Sequence, residues 1–271
     1  MRFPGRFVIC VLAAVIFVPA VTGQIVAKPT VEELAAISER GRVLAEYDQA
    51  AWHATDMVQT ANPKTVDGQH YLARKENGRW TVVFGALNGD KSKFLISYEA
   101  EQLAKPREFA VRKIDPAKED TGFYLFAARA LEVALADFGR VSRPYNAAVV
   151  PAIHSEVTDG EGLLYVYLYP AQTKAGVFPL GGDVRYLISA DGIKILVKRQ
   201  LHKTILEPAP VKGKKLAAGY HTHVLTDQPE DTDVLHVLQQ DPPQPELIAT
   251  PHFLYQVAAD GSIGFGKGTR K

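Results

Sequence analysis

Residues 71–84, with the sequence YLARKENGRWTVVF, carry the pattern that decides the fold of this 271-residue chain. A tyrosine-led strand pattern is followed by a polar turn that ends in Gly78, and a second strand pattern follows. The Asn-Gly pair in this turn favours the positive φ angles that a tight hairpin requires. The stretch therefore predicts a β-hairpin.

The same pattern recurs in residues 186–197 (YLISADGIKILV) and 255–265 (YQVAADGSIGF), where Asp-Gly and Asp-Gly-Ser turns replace Asn-Gly. Two further stretches, KFLISYEA (93–100) and LLYVYLYPA (163–171), are rich in aromatic and apolar residues and predict additional strands. The spacing between the three hairpins is too uneven for a solenoid. Whether they share one sheet is left open by the sequence.

Helical patterns occupy other parts of the chain. Apolar residues recur at helical spacing over about 30–52 and 121–138, and a short helix is predicted over about 229–240. Thr30 and Glu33 have the spacing of a capping box, in which each side chain accepts a hydrogen bond from a free backbone N–H at the helix start. Because helices and strands are segregated along the chain, the fold class predicted is α+β with a mainly antiparallel sheet built from hairpins.

The N-terminal residues predict export. Arg2 and Arg6 precede an unbroken apolar run, residues 7–21, and small residues surround Gly23. This is the pattern of a cleaved signal peptide over residues 1–23. The run is short for a bilayer-spanning helix, which needs about 20 apolar residues, so no stable membrane anchor is expected after cleavage. The expected location is periplasmic or secreted.

Composition excludes several classes of function. The single cysteine, Cys10, lies inside the predicted signal, so the mature chain would have no thiolate for catalysis, redox chemistry or zinc binding. A cysteine-free exported chain is more typical of a bacterial periplasm than of a eukaryotic extracellular space. With 31 basic and 30 acidic residues, the chain carries no charge excess that would favour nucleic acid or an anionic membrane as a partner.

Residues 24–271 are predicted to form a single α+β domain. A subdivision into 24–140 and 141–271 is the alternative, because the first part is richer in helix patterns and the second in strand patterns. No low-complexity linker marks such a boundary.

One stretch has the composition of a metal site. Residues 219–237 read GYHTHVLTDQPEDTDVLHV. His221 and His223 are two apart in a strand pattern and would present both imidazoles on one face. Asp231 and Asp233 would fall in the first turn of the following helix. Two imidazoles and one carboxylate are a common zinc donor set that leaves one position for water. The alternative is that the histidines form hydrogen bonds across the sheet and the aspartates serve as helix-start residues.

A strand with His-x-His followed by an aspartate at a helix start resembles the JAMM (JAB-like, MPN-fold) metallopeptidase family. The resemblance is confined to residues 219–237, and Val224 stands where the family usually has proline. It implies zinc bound by His221, His223 and Asp233 or Asp231, with an upstream glutamate as general base. The sequence does not assign that base, and three glutamates lie upstream as candidates: Glu156, Glu161 and Glu207.

The remaining histidines are interpreted as structural, apart from His236, which could join the site or pair with Asp233. The lone histidines are His154, His202 and His252. As a whole, the chain resembles uncharacterised secreted bacterial proteins. The predicted function is an exported module that binds a small ligand or a protein of unknown identity. The alternative is a zinc-dependent JAMM-like hydrolase that uses His221, His223 and Asp233 or Asp231.

Overall fold

The computed structural model describes residues 27–61, 69–153, 162–208 and 217–266. The predicted signal peptide and His154 lie outside these residues. The described part contains three helices and twelve strands in three sheets that are mostly antiparallel. The predicted α+β class with mainly antiparallel pairing is confirmed. None of the helices described is both long and apolar enough to cross a membrane.

The helices lie near their predicted positions, but the first extends further. Their bounds are α1 Val31–Ala61, α2 Phe123–Phe138 and α3 Asp231–Gln239. The predicted capping box starts α1: the Thr30 N–H donates to Glu33 Oε2 at 2.8 Å and the Glu33 N–H donates to Thr30 Oγ1 at 3.1 Å. Helix α1 passes the predicted end near residue 52 because buried contacts continue through Ala54 and Val58.

The first sheet contains the hairpin of residues 71–84. Its strands pair in the order β1-β2-β3-β4. Their bounds are β1 His70–Glu76, β2 Arg79–Leu87, β3 Phe94–Gln102 and β4 Phe109–Asp120. The turn between β1 and β2 places Asn77 and Gly78 at φ values of 50° and 78°. The Asn-Gly pair thus has the positive φ angles that were predicted for this hairpin turn.

The other two predicted hairpins lie in two further sheets. The second sheet has the order β5-β6-β7-β8, with bounds β5 Tyr145–Pro151, β6 Leu164–Pro170, β7 Val184–Ile188 and β8 Ile195–Gln200. The third has the order β12-β11-β10-β9, with bounds β9 Gly219–Thr222, β10 Glu246–Ala249, β11 Leu254–Val257 and β12 Ile263–Phe265. The pairs β7-β8 and β11-β12 are antiparallel hairpins, whereas β9 and β10 pair in parallel.

The core joins residues from both halves of the chain. One hydrophobic cluster contains Leu44 and Tyr47 of α1, Phe84 of β2 and Tyr165 of β6. Every residue of β6 is buried, so its tyrosines belong to the core rather than to an exposed surface. The long helix α1 therefore packs against elements from the first and second sheets.

Helix α3 lies directly on α1, and this contact positions the candidate site. A Cβ atom at Gly41 would lie 2.4 Å from the Val234 Cβ and 2.7 Å from the Asp231 carbonyl oxygen. Only glycine permits such a close approach of the two helices. Gly41 thereby allows the first turn of α3 to lie directly against α1.

Candidate metal centre

Four side chains from three parts of the fold converge at one buried point. His202 follows β8, His221 is in β9, His223 comes directly after β9, and Asp233 is in the first turn of α3. One ligand atom from each lies within 4.8 Å of the others, and all four residues are buried. We refer to these four residues as the metal centre, because they could hold a metal ion.

The distances between the donor atoms match a compact coordination shell. The His223 Nε2 lies 2.9 Å from the His202 Nε2 and 3.1 Å from the His221 Nε2. Asp233 Oδ1 lies 3.1 Å from the Nε2 atoms of His202 and His221, and Oδ2 lies 3.2 Å from that of His223. Ligand atoms bound tetrahedrally at about 2.0–2.1 Å from zinc lie roughly 3.3 Å apart.

Carboxylates orient two of the imidazoles. The Nδ1 atom of His202 lies 2.8 Å from Asp183 Oδ1, and that of His221 lies 2.9 Å from Glu246 Oε1. An ionised carboxylate only accepts hydrogen bonds, so each Nδ1 carries the proton and donates it. In a neutral ring the Nε2 lone pair is then free and faces the centre, which is the arrangement usual for metal-bound histidines.

A backbone carbonyl orients the third imidazole. His223 Nδ1 lies 3.0 Å from the carbonyl oxygen of Gln228, which can only accept. Three Nε2 atoms therefore face one point, and their lone pairs would repel one another without a proton or a metal ion between them. In the absence of a metal ion, a proton on one Nε2 can be donated to a neighbouring Nε2 or to Asp233. The four residues together could hold a metal ion in place of such protons.

The electrostatic environment favours positive charge at the centre. Burial alone would raise the pKa of Asp233, but the facing imidazoles of His202 and His223 hold it well below its usual range. Burial opposes protonation of His221, yet the carboxylates of Asp233 and Glu246 raise its pKa to about 9. An ionised aspartate and two supporting carboxylates thus surround the point at which the Nε2 atoms meet.

Glycines lie next to both supporting carboxylates. Gly219 pairs with Glu246 in the parallel β9-β10 register, and a Cβ at Gly219 would lie 1.8 Å from Glu246 Oε2. Asp183 follows Gly181 and Gly182, both at positive φ, and its Oδ1 also accepts the His202 backbone N–H at 3.0 Å. This turn therefore supplies the partner of His202.

Asp231, the other aspartate considered from the sequence, has different contacts. Its Oδ1 accepts from Arg40 Nε at 2.8 Å, and its Oδ2 accepts from the Tyr167 hydroxyl at 2.8 Å and from Arg185. It is not a member of the convergent group within the described residues. Its carboxylate joins α3 to α1 and to the second sheet.

His236 and His252 are not among the four ligand residues. His236 is buried in α3, and burial lowers its pKa. His252 is exposed and its Nδ1 contacts Asp227 Oδ2 at 2.9 Å. His202 was interpreted from sequence as a lone structural histidine, but the structure places it among the ligand atoms. It lies 21 residues before His223, outside any local motif, so the sequence offered no signal for it.

The metal centre opens onto a cavity of about 120 Å³. All three histidines of the centre line this cavity. Val224, Leu225 and Leu206 also line it, and each is substantially exposed. A small molecule with an apolar group could therefore approach the donor atoms from this side.

The three glutamates considered from the sequence as general base are not shown near the centre, whereas Glu230 contacts one of its ligands. Glu156 and Glu161 lie outside the described residues, and Glu207 is exposed in ion pairs with Arg143 and Lys174. Glu230, which caps α3, is buried, and its backbone N–H donates to Asp233 Oδ2 at 2.7 Å. Burial raises the pKa of Glu230 to about 8.

We expect Glu246→Gln to weaken zinc binding by about 10–100-fold, because it removes the charge that orients the His221 ring and increases its basicity. Competition with a chromophoric chelator measures this change. Glu108→Gln, which alters an exposed ion pair with Lys105, is the matched control. Equal zinc affinities for Glu246→Gln and the wild type would show that Glu246 does not support a ligand.

No family model, no curated protein and no solved structure matches this chain. The resemblance to the JAMM family therefore remains a prediction carried by residues 219–237 alone, and the function is inferred from the geometry of the metal centre.

Proposed function

We propose that the protein is an exported hydrolase that binds one zinc ion at His202, His221, His223 and Asp233. The observation that carries the proposal is the convergence of three Nε2 atoms and one carboxylate at a buried point that opens onto a cavity.

The donor set favours zinc among common metals. Three imidazoles and one carboxylate suit a borderline ion, whereas magnesium and calcium prefer shells of oxygen atoms. Five of the distances between ligand atoms are 2.9–3.2 Å, and this close spacing also suits the four-coordinate shell usual for zinc. Outside the predicted signal peptide the chain has no cysteine, so thiolate-based metal sites are not available.

Four protein ligands fill a tetrahedral shell, so water or a substrate carbonyl would bind zinc here as a fifth ligand. Zinc would lower the pKa of such a water towards about 7 and would polarise the carbonyl. The chain's own residues supply the rest. Asp183, Glu246 and the Gln228 carbonyl hold the three imidazoles in one tautomer. The apolar rim of the cavity orients an apolar part of the substrate.

No glutamate is among the described residues that line the cavity, and the general base is not assigned. Glu230 is a buried glutamate whose backbone N–H contacts the ligand Asp233, and its Oε1 accepts from Arg199 at 2.7 Å and from the Thr226 hydroxyl at 3.0 Å. These contacts direct its carboxylate to the start of α3 and to Arg199.

The proposal is tested by zinc content and hydrolysis in the same preparations. We expect about one zinc per chain in the wild type and almost none in a His221→Ala/His223→Ala double variant, because two of the four ligand atoms are lost. Zinc-loaded wild type should hydrolyse casein or p-nitrophenyl acetate, and the double variant should not. His252→Ala, at an exposed histidine, is the control for both readouts.

Equal zinc content in the wild type and the double variant would contradict the metal centre. Zinc bound at the centre without hydrolysis of either substrate class would contradict the enzymatic part. A ligand-binding module is the second candidate function, and a separate cavity near the end of α3 favours it.

A further inference from the structure

A second cavity lies where α1, β1, β5 and the loop after β6 meet. Its volume is about 290 Å³. The lining combines apolar and polar side chains with a single carboxylate. The residues that matter for its chemistry are Asp48, Trp52, Tyr71, Asn146, Phe178 and Gln239.

Among the described residues that line this cavity, Asp48 alone carries a formal charge. Its Oδ1 accepts from the Tyr169 hydroxyl at 2.6 Å and its Oδ2 accepts from Gln239 Nε2 at 2.9 Å, with a further side-chain hydrogen bond from Asn146. All three donors are neutral. No lysine, arginine or histidine is among the described residues that line the cavity. Taking Asp48 out of water raises its pKa, and hydrogen bonds from Tyr169, Gln239 and Asn146 only partly oppose this.

A carboxylate offers about four lone-pair sites, and three donors leave one for a ligand. Taking a carboxylate out of water without a cationic partner is unfavourable, so a positively charged group that enters the cavity gains a charge-assisted hydrogen bond. The lining therefore has one strong preference, which is for positive charge beside Asp48.

Aromatic side chains set the shape of the rest of the cavity. Trp52, Tyr71 and Phe178 line it, and Trp52 is 48% exposed. Aromatic faces attract organic cations and also bury apolar groups. Cavities that bind small molecules usually combine such apolar walls with a few fixed polar groups.

We propose that this cavity binds a small organic cation, a primary amine that carries an apolar or aromatic group, with the ammonium hydrogen-bonded to Asp48 and the apolar group against Trp52, Tyr71 and Phe178. The site is distinct from the metal centre. Gln239 is the last residue of α3, whereas Asp233 is in its first turn, and the six-residue step between them corresponds to roughly 9 Å of helix.

Benzylamine is the probe, and its binding to the full mature chain is measured by calorimetry. Benzyl alcohol and benzoate are the neutral and anionic control ligands of similar shape. We expect saturable binding of benzylamine. The affinities for benzyl alcohol and benzoate should be lower by about tenfold or more, because only the cation forms a charge-assisted hydrogen bond with Asp48. Asp48→Asn should lower benzylamine affinity by about 10–100-fold. Asp56→Asn, an exposed aspartate on the same helix, should leave it unchanged.

A second variant tests the proposal independently, in case Asp48→Asn fails to fold. Trp52→Leu changes a half-exposed side chain, leaves the carboxylate in place and should weaken benzylamine severalfold through loss of the aromatic face. The proposal is overturned by any of three results: no saturable binding of benzylamine at millimolar concentration, equal binding of benzyl alcohol, or unchanged affinity in both variants.

Discussion

A His202→Ala variant is expected to lose zinc affinity by more than about 100-fold, which exceeds the 10–100-fold effect usual for a residue that only supports a ligand. The His202 Nε2 lies 2.9 Å from that of His223 and 3.1 Å from Asp233 Oδ1, so it is one corner of the donor set. Its removal leaves two imidazoles and one carboxylate. The Asp183 carboxylate also loses its imidazole partner.

Zinc affinity of His202→Ala is measured by chelator competition at neutral pH, beside circular dichroism to establish folding. His252→Ala is the matched control, because His252 also contacts an aspartate but is exposed and lies outside the metal centre. If His202 served only to hold Asp183 and the turn before β7, the variant would lose stability and keep its zinc. That outcome would remove His202 from the ligand set and return the centre to the set predicted from sequence.

Asp231→Ala is expected to lower the free energy of unfolding by about 3–5 kcal/mol, the range for breaking a buried ion pair by removing one partner. Asp231 is fully buried and accepts from Arg40, Arg185 and the Tyr167 hydroxyl. Arg185 is itself buried, so the variant leaves a guanidinium in the interior without this carboxylate. The penalty comes from the loss of a carboxylate beside a buried guanidinium rather than from the net value of the pair.

Urea unfolding in the presence of a metal chelator measures this change, since bound zinc would otherwise stabilise the folded state by mass action. Glu119→Gln provides the comparison, because its ion pair with Lys93 is exposed and such pairs contribute about 0–1 kcal/mol. A loss below about 1 kcal/mol for Asp231→Ala would mean that solvent or other groups compensate Arg185. The role of Asp231 as the link between α3, α1 and the second sheet would then be wrong.

The secondary structure was predictable because its causes are local. Asn77 and Gly78 favour a tight turn whatever lies around them, and the capping pair Thr30 and Glu33 acts within one helical turn. The same holds for the face shared by His221 and His223, which follows from the geometry of a strand. The end of α1 was not predictable, because the helix continues for as long as the sheets offer an apolar surface to Ala54 and Val58.

The metal centre was predictable only in part. His221, His223 and Asp233 lie within one short stretch, so their proximity followed from a strand and a helix start. Asp231 and Asp233 have the same local setting, and no local rule separates them. The packing of α3 on Gly41 makes the difference: Asp231 meets Arg40 and Arg185, whereas Asp233 meets the imidazoles.

The sequence by itself determined the hairpins, the helices and the pair of histidines on one strand face, because these depend on side-chain periodicity and on the φ angles that individual residues accept. Only the tertiary structure decided that His202 joins the pair and that Asp183 and Glu246 orient the rings. The physical reason is that these contacts join residues far apart in the sequence, either across the second and third sheets or between the paired strands β9 and β10. Their geometry depends on how the layers pack, which periodicity along the chain does not encode.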